Sequence, residues 1–206
     1  MAKLKFGWGD VSLVPEGKKI NLAGQFYERI TDEVRDPISV TALAIEGEDI
    51  AIFCSCALES PSYSLLCAAR EILKKEENFP YDKVIVNAIH SHTSISYTNY
   101  SDAYGSTLSV LDQYIPKDVD YEEFTSADSG DLLDGEAAFD FIAQKIAEAA
   151  ILAFNNLKAG KYAPGFGRAA VGMCRRVCYD DGSAKMWGDT NFANFTELEG
   201  GNDSGI

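Results

Sequence analysis

The chain contains two histidines, His90 and His92, which stand two positions apart. They follow the apolar run from Val84 to Ile89, whose composition is typical of a strand buried inside a sheet. If strand geometry continues through Ser91, both imidazoles project from one face with Cα atoms about 6.5–7 Å apart, and can bind one metal ion. Neutral imidazole is a good zinc ligand. The pattern leaves open a second interpretation, in which the two histidines are hydrogen-bonded in a loop.

A catalytic zinc needs three protein ligands and an open position. The two histidines supply two ligands, and no second cluster of metal-ligating residues has a suitable spacing. We therefore expect a carboxylate, tyrosine or cysteine from elsewhere to be the third ligand. The ending, Gly200 to Ile206, is typical of a turn followed by the start of a strand, which favours the N-terminal part of a longer protein. A frayed tail is the alternative.

Cysteine and arginine provide two further candidate sites. Cys54 and Cys56 lie on one face of a predicted strand and could hold a soft metal or a redox pair, but their apolar neighbours favour core packing. Arg175 and Arg176 interrupt another apolar strand. A guanidinium directed into a cleft would bind a substrate carboxylate or stabilise an oxyanion, and Arg176 is our candidate for substrate binding. The alternative is that the side chain extends to solvent.

The charge of the chain excludes whole classes of partner. Its 206 residues are 46% hydrophobic, and 32 acidic against 18 basic side chains give a net charge of −14. Such a charge repels nucleic acids and anionic membrane surfaces, and no apolar run approaches the roughly 20 residues of a membrane helix. The five cysteines and the absence of a secretory leader favour a cytoplasmic protein with reduced thiols.

Hydrophobic periodicity predicts the elements that position these residues. The predicted fold is α/β, with helices packed on a mixed β-sheet. Residues 1–206 would form a single unit that is the N-terminal part of a larger domain. Residues 95–133 interrupt it as an acidic, tyrosine-rich excursion, which could be a substrate lid, an assembly surface or a solvated loop. The predicted elements are a strand over 8–15, a hairpin over 38–45 and 50–57, a helix capped by Ser60, a strand over 83–89, a helix from Glu136 to a C-terminal Gly160, and a strand over 169–179 with a partner at 184–187.

The order of these motifs resembles the neutral, non-lysosomal ceramidase family. The resemblance rests on the strand from Gly7 to Ser12, the strand from Ile50 to Cys56 and the segment from Val84 to Ser94, and it covers about residues 6 to 95. It implies a zinc-dependent amidase that releases a fatty acid and an amine. It also implies that His90 is the first zinc ligand and that His92 lines the catalytic centre. The family's remaining zinc ligands, a second histidine, a glutamate and a tyrosine, would lie beyond Ile206.

Together these observations lead us to expect the N-terminal part of a zinc-dependent, ceramidase-like amidohydrolase that is inactive alone. His90 and His92 would bind the metal, His92 would also act in catalysis, and Arg176 would bind a small or lipid-like linear amide. A missing C-terminal half or a second copy would be the protein partner, with no nucleic acid and no integral membrane contact. The alternative is a non-catalytic binding or assembly module on the same scaffold.

Overall fold

The computed structural model describes residues 4–24, 29–97 and 130–205. The chain divides into two compact units, Met1–Lys161 and Tyr162–Ile206. Most of the predicted acidic excursion, residues 98–129, lies outside the described residues. That residues 1–206 form one α/β domain stays a prediction.

A mixed β-sheet with helices packed on it forms the first unit, as the sequence predicts. The strands are β1 (Lys5–Ser12), β2 (Ile20–Asn21), β3 (Ile30–Thr31), β4 (Ser39–Glu46), β5 (Ile50–Cys56), β6 (Val84–Ala88) and β7 (Lys158–Ala159), and the helices are α1 (Tyr63–Leu73) and α2 (Gly135–Asn155). The main sheet has the strand order β6-β5-β4-β1-β7, and β2 pairs with β3.

Strands β4 and β5 form the predicted antiparallel hairpin, in which Glu46 pairs with Ile50. Helix α1 then carries the chain over the sheet, so that β6 returns parallel to β5. Among the described strands, β6 lies at the edge of the sheet. The expectation that it lies in the sheet's interior is therefore wrong: its apolar side chains face helix α1 on one side only, and Ile85 on the other side is 47% exposed.

The core lies between the sheet and the two helices. Alternate residues of β4 and β5, such as Ala42, Ile52 and Cys54, are completely buried beneath them. Helix α2 lies directly on β1, because Gly7 and Gly9 present no side chain at the contact. A methyl group on either glycine would overlap a backbone carbonyl of α2.

Two predicted helix ends are corrected by the structure. The side chain of Ser62, rather than Ser60, caps α1 by accepting a hydrogen bond from the amide of Leu65 at 3.1 Å. Ser60 followed by Pro61 has the pattern of a cap and a first helical turn, but the helix begins two residues later than that pattern indicates. Helix α2 ends at Asn155, before Gly160, whose amide instead bonds the carbonyl of Leu4 beyond β7.

The opposite face of the sheet carries no helix among the described residues, and large apolar side chains lie there. Trp8 is 60% exposed and Phe53 is 40% exposed. None of the described helices is both long enough and apolar enough to cross a bilayer.

The second unit contains a three-stranded antiparallel sheet. Its strands are β8 (Arg176–Tyr179), β9 (Ala184–Met186) and β10 (Phe195–Leu198), in the order β10-β8-β9. The predicted turn between β8 and β9 is confirmed by their antiparallel pairing. The strand predicted over 169–179 is shorter than expected, because regular pairing begins only at Arg176.

Candidate metal centre

The histidine pair is positioned by the chain that follows β6. The amide of Ile89 bonds the carbonyl of Cys56 at 3.0 Å, and the amide of Ser91 bonds that of Leu58 at 2.9 Å. Between them His90 has a φ of +63°, in the left-handed region. The expectation that strand geometry persists through Ser91 is therefore wrong. A left-handed residue other than glycine is uncommon, and such conformations concentrate at functional sites.

Despite this turn, the two imidazoles converge. The Nε2 atoms of His90 and His92 lie 3.3 Å apart, and the ring centroids are separated by 4.9 Å with the planes inclined at 68°. Both side chains are exposed. The structure thus brings together the two residues that the sequence predicts as ligands.

A backbone contact sets the orientation of the His90 ring. Its Nδ1 lies 2.8 Å from the carbonyl oxygen of Glu59. Since a carbonyl only accepts, Nδ1 carries the proton and the lone pair of Nε2 is directed away from the main chain, toward His92. An Nδ1–H bonded to a backbone carbonyl is the usual second contact of a metal-binding histidine.

The spacing of the two nitrogens fits a tetrahedral zinc ion. With zinc–nitrogen bonds of about 2.0–2.1 Å, two tetrahedral ligands are separated by about 3.3–3.4 Å. The observed distance between the Nε2 atoms is 3.3 Å. The pair therefore matches one edge of a zinc coordination tetrahedron. A direct hydrogen bond from His92 Nε2–H to His90 Nε2 is the other arrangement that this distance allows.

The described residues do not complete the ligand set. Within residues 4–24, 29–97 and 130–205, no group of three histidine, cysteine or acidic side chains is arranged to hold a metal ion. Glu59 contributes its backbone carbonyl to the site. The donor set fits zinc in chemistry and spacing, but the described chain supplies two ligands.

Two residues that the sequence analysis missed form the support of His92. Gly24 has a φ of +83°, and a methyl group on it would overlap the imidazole of His92. Arg29 donates from Nη2 to the carbonyl oxygen of His92 at 2.5 Å. A single glycine after Leu22 and Ala23 is only a general turn signal. Arg29 lies 63 positions from His92, so no local spacing connects them.

A cavity of about 1020 Å³ in the first unit lies beside the histidine segment, on the side away from the two imidazoles. Ile89, Ser91 and Thr93 line this cavity, whereas His90 and His92 do not. Its walls are apolar, including Val14 and Ile38, and its rim carries charges of both signs. Because neither histidine lines this cavity, it is separate from the histidine pair.

The cysteine pair and the arginines are placed differently from the histidines. Cys54 and Cys56 are completely buried, and this burial raises the pKa of each thiol to about 12. Core packing is confirmed for both. In the second unit, Arg176 pairs with Glu199 at 3.2 Å, while Arg175 lies over the ring of Trp187 at 4.5 Å. Substrate binding by Arg176 stays a prediction.

Taken together, the mixed sheet, the crossover helix and the paired imidazoles define an α/β protein with a candidate two-histidine metal site. Among solved structures, the chain is similar to the neutral ceramidase from Pseudomonas aeruginosa, with a TM-score of 0.59 and 16% identity over 88% of this chain and 25% of that chain. A ceramidase complexed with C2 has the same TM-score of 0.59 and 17% identity, again over 88% of this chain and 25% of that chain.

This likeness confirms the expected resemblance at the level of the fold. The chain spans about a quarter of the length of these two proteins. No protein family model matches the chain, and no curated protein matches it in sequence.

Proposed function

We propose that His90 and His92 hold a zinc ion and that the chain is part of a ceramidase-like amide hydrolase. The observation that carries the proposal is the 3.3 Å distance between the two Nε2 atoms, with His90 held in the metal-binding tautomer by Glu59. The shared fold with two ceramidase structures adds the reaction class. The substrate would be a linear amide, either small or lipid-like.

The residues have separate tasks in this proposal. A bound zinc ion would supply Lewis acidity at the histidine pair. His90 would act only as a ligand, since its Nδ1 is committed to the carbonyl of Glu59. His92 would be the second ligand through Nε2. In the alternative in which His92 handles a proton, the same Nε2 would exchange it with the reacting group, because Nδ1 lies against Gly24. Substrate binding by Arg176, in the second unit, is proposed from the sequence alone.

Because the described residues supply two ligands, we propose that this chain alone binds zinc weakly and does not turn over substrate. The remaining ligand would come from outside the described residues, and the proposed zinc dependence concerns the completed site. This makes metal binding, rather than activity, the first property to measure.

The test is a zinc titration against a chromogenic chelator, using the full chain and the variants His90→Ala and His92→Ala. Loss of either imidazole should abolish most of the binding, because each is one of few ligands. Ser91→Ala is the matched control, since Ser91 lies between the histidines and its hydroxyl contacts only Thr93 among the described residues. Zinc affinity that is unchanged in both histidine variants would refute the proposal.

A non-catalytic binding or assembly module is the second candidate, and two observations favour it. The described residues lack a third ligand, and the helix-free face of the sheet exposes Trp8 and Phe53. Such a module would show no zinc-dependent change in thermal stability. Analytical ultracentrifugation of the wild type and of Trp8→Ser would show whether this face mediates self-association.

A further inference from the structure

We infer that Arg29 is a positioning residue that holds His92 against His90. Its Nη2 donates to the carbonyl oxygen of His92 at 2.5 Å and to that of Ala23 at 2.8 Å. One guanidinium nitrogen thus joins the segment that carries His92 to the carbonyl of Ala23, which precedes Gly24. The inference rests on the proposed metal site, because it concerns how that site keeps its shape.

The backbone of Arg29 is itself fixed. Its amide donates to the side-chain oxygen of Asn21 at 3.2 Å, and its carbonyl accepts from the amide of Leu22 at 2.8 Å. The carbonyl of Asn21 accepts in turn from the amide of Ser96 at 2.7 Å. The guanidinium therefore extends from a paired segment that is already bonded to the chain just after His92.

His92 needs this support more than His90 does. His90 is held by the Glu59 carbonyl at Nδ1 and by the paired amides of Ile89 and Ser91 on either side. For His92, the described contacts of the ring are the His90 ring and the wall formed by Gly24. The hydrogen bond from Arg29 therefore fixes the position of the His92 backbone. The contact with Gly24 limits the rotation of the His92 ring away from His90.

Arginine suits this task because its planar guanidinium presents several donors in a rigid arrangement. Lysine would place a charge near the two carbonyls, but its rotatable ammonium would lack the fixed donor directions of Nη2. The Nε atom of Arg29 is buried and has no hydrogen-bond partner among the described residues.

Arg70 provides a matched control elsewhere in the same unit. Its Nη2 donates to the carbonyls of Asp82 at 3.1 Å and Val84 at 2.8 Å, and its Nε is likewise buried without a partner among the described residues. Arg70 thus joins α1 to the start of β6. Replacing it removes an equivalent backbone clamp without touching the chain around either histidine.

The experiment compares the wild type with Arg29→Ala, Arg29→Lys and Arg70→Ala. The first readout is the nuclear Overhauser effect between the two imidazole rings in the metal-free protein, which is readily assigned because the chain has two histidines. The second readout is zinc affinity by chelator competition. We expect Arg29→Ala to lose the inter-ring effect and to weaken zinc binding at least tenfold. Arg29→Lys should be intermediate, and Arg70→Ala should keep both properties within about twofold.

Retention of the inter-ring effect and of wild-type zinc affinity in Arg29→Ala would overturn the positioning role. Should circular dichroism show that Arg29→Ala does not fold, Arg29→Lys decides by the same two readouts. A wild type that binds no zinc, but whose inter-ring effect disappears in Arg29→Ala, refutes the proposed metal site while supporting the positioning role. A wild type that binds zinc, with an Arg29→Ala variant that matches both its affinity and its inter-ring effect, refutes the positioning role alone.

Discussion

Gly24 and His92 are packed so closely that a single methyl group on Gly24 would overlap the imidazole ring. Gly24 also has a φ of +83°, which side chains rarely adopt. The glycine therefore has two functions, one in the local turn and one as the wall behind a candidate ligand.

Gly24→Ala should displace His92 and weaken zinc binding as well as destabilise the fold. Gly17→Ala is the matched control, because Gly17 has a φ of +63° and nothing within 4 Å of the added methyl group. The left-handed conformation alone costs about 1–2 kcal/mol in either variant. Urea unfolding measures this cost, which the two variants share. Zinc titration should distinguish them, because only Gly24→Ala should weaken zinc binding. Equal zinc affinities would show that Gly24 has no role beyond the turn.

Gly9→Ala should destabilise the first unit by about 1–3 kcal/mol, because overpacking forces α2 away from β1. Its new Cβ would lie 2.5 Å from the carbonyl oxygen of Ala149. Gly47→Ala tests the same change in the β4–β5 loop, where the Cβ would meet only the end of the Leu4 side chain at 3.3 Å. Equal chemical denaturation midpoints for the two variants would contradict the direct contact of helix and strand.

Ser62→Ala should cost about 1 kcal/mol of stability, which is the usual effect of losing an N-cap. Ser62 accepts from the amide of Leu65, whereas Ser60 contributes its backbone carbonyl to the hydroxyl of Tyr97. Ser60→Ala keeps that carbonyl and should be nearly neutral in thermal unfolding. If Ser60→Ala destabilised the protein more than Ser62→Ala, Ser60 would be the cap of α1.

The buried thiols should make the folded state less stable at high pH. In the folded protein the pKa of Cys54 and of Cys56 is raised to about 12, above the ordinary value of 9.0. Above about pH 9 the unfolded chain loses these protons first, so stability falls as pH rises from about 9 toward 12. The double variant Cys54→Ala, Cys56→Ala should show a shallower fall in the free energy of unfolding. An identical slope would contradict the raised pKa values.

The same burial should protect both thiols from a disulfide reagent at pH 8. Cys67, Cys174 and Cys178 are only partly buried. They should react in the native protein, whereas Cys54 and Cys56 should react only after unfolding. Mass spectrometry of the labelled peptides gives the answer for each cysteine. Rapid native labelling of Cys54 would show that β5 is not in the core.

The sheet and helices could be predicted because their signals are local. Alternating apolar residues in β4 and β5, and the helical spacing of Leu65 and Leu73, express periods of two and 3.6 residues. The ends of elements were less predictable, since Ser60 and Ser62 both have side chains that can cap a helix. Which one does so depends on where α1 meets the sheet.

The histidine pair could be predicted as a site, but its geometry could not. The predicted common face for both imidazoles depended on strand geometry continuing through Ser91, whereas the two rings meet through the left-handed turn at His90. The orientation of the His90 ring depends on the carbonyl of Glu59, 31 positions away. Arg29 is more distant still, and tertiary contacts of this kind leave no spacing pattern in a single sequence.

The most direct test of the account is zinc K-edge X-ray absorption on the zinc-loaded full chain. If His90 and His92 converge on the metal ion, the spectrum contains two imidazole nitrogens at about 2.0–2.1 Å, with the remaining positions filled by oxygen. His92→Ala should reduce the imidazole count to one. A spectrum with no imidazole in the zinc shell would contradict the convergence of His90 and His92 on a metal ion.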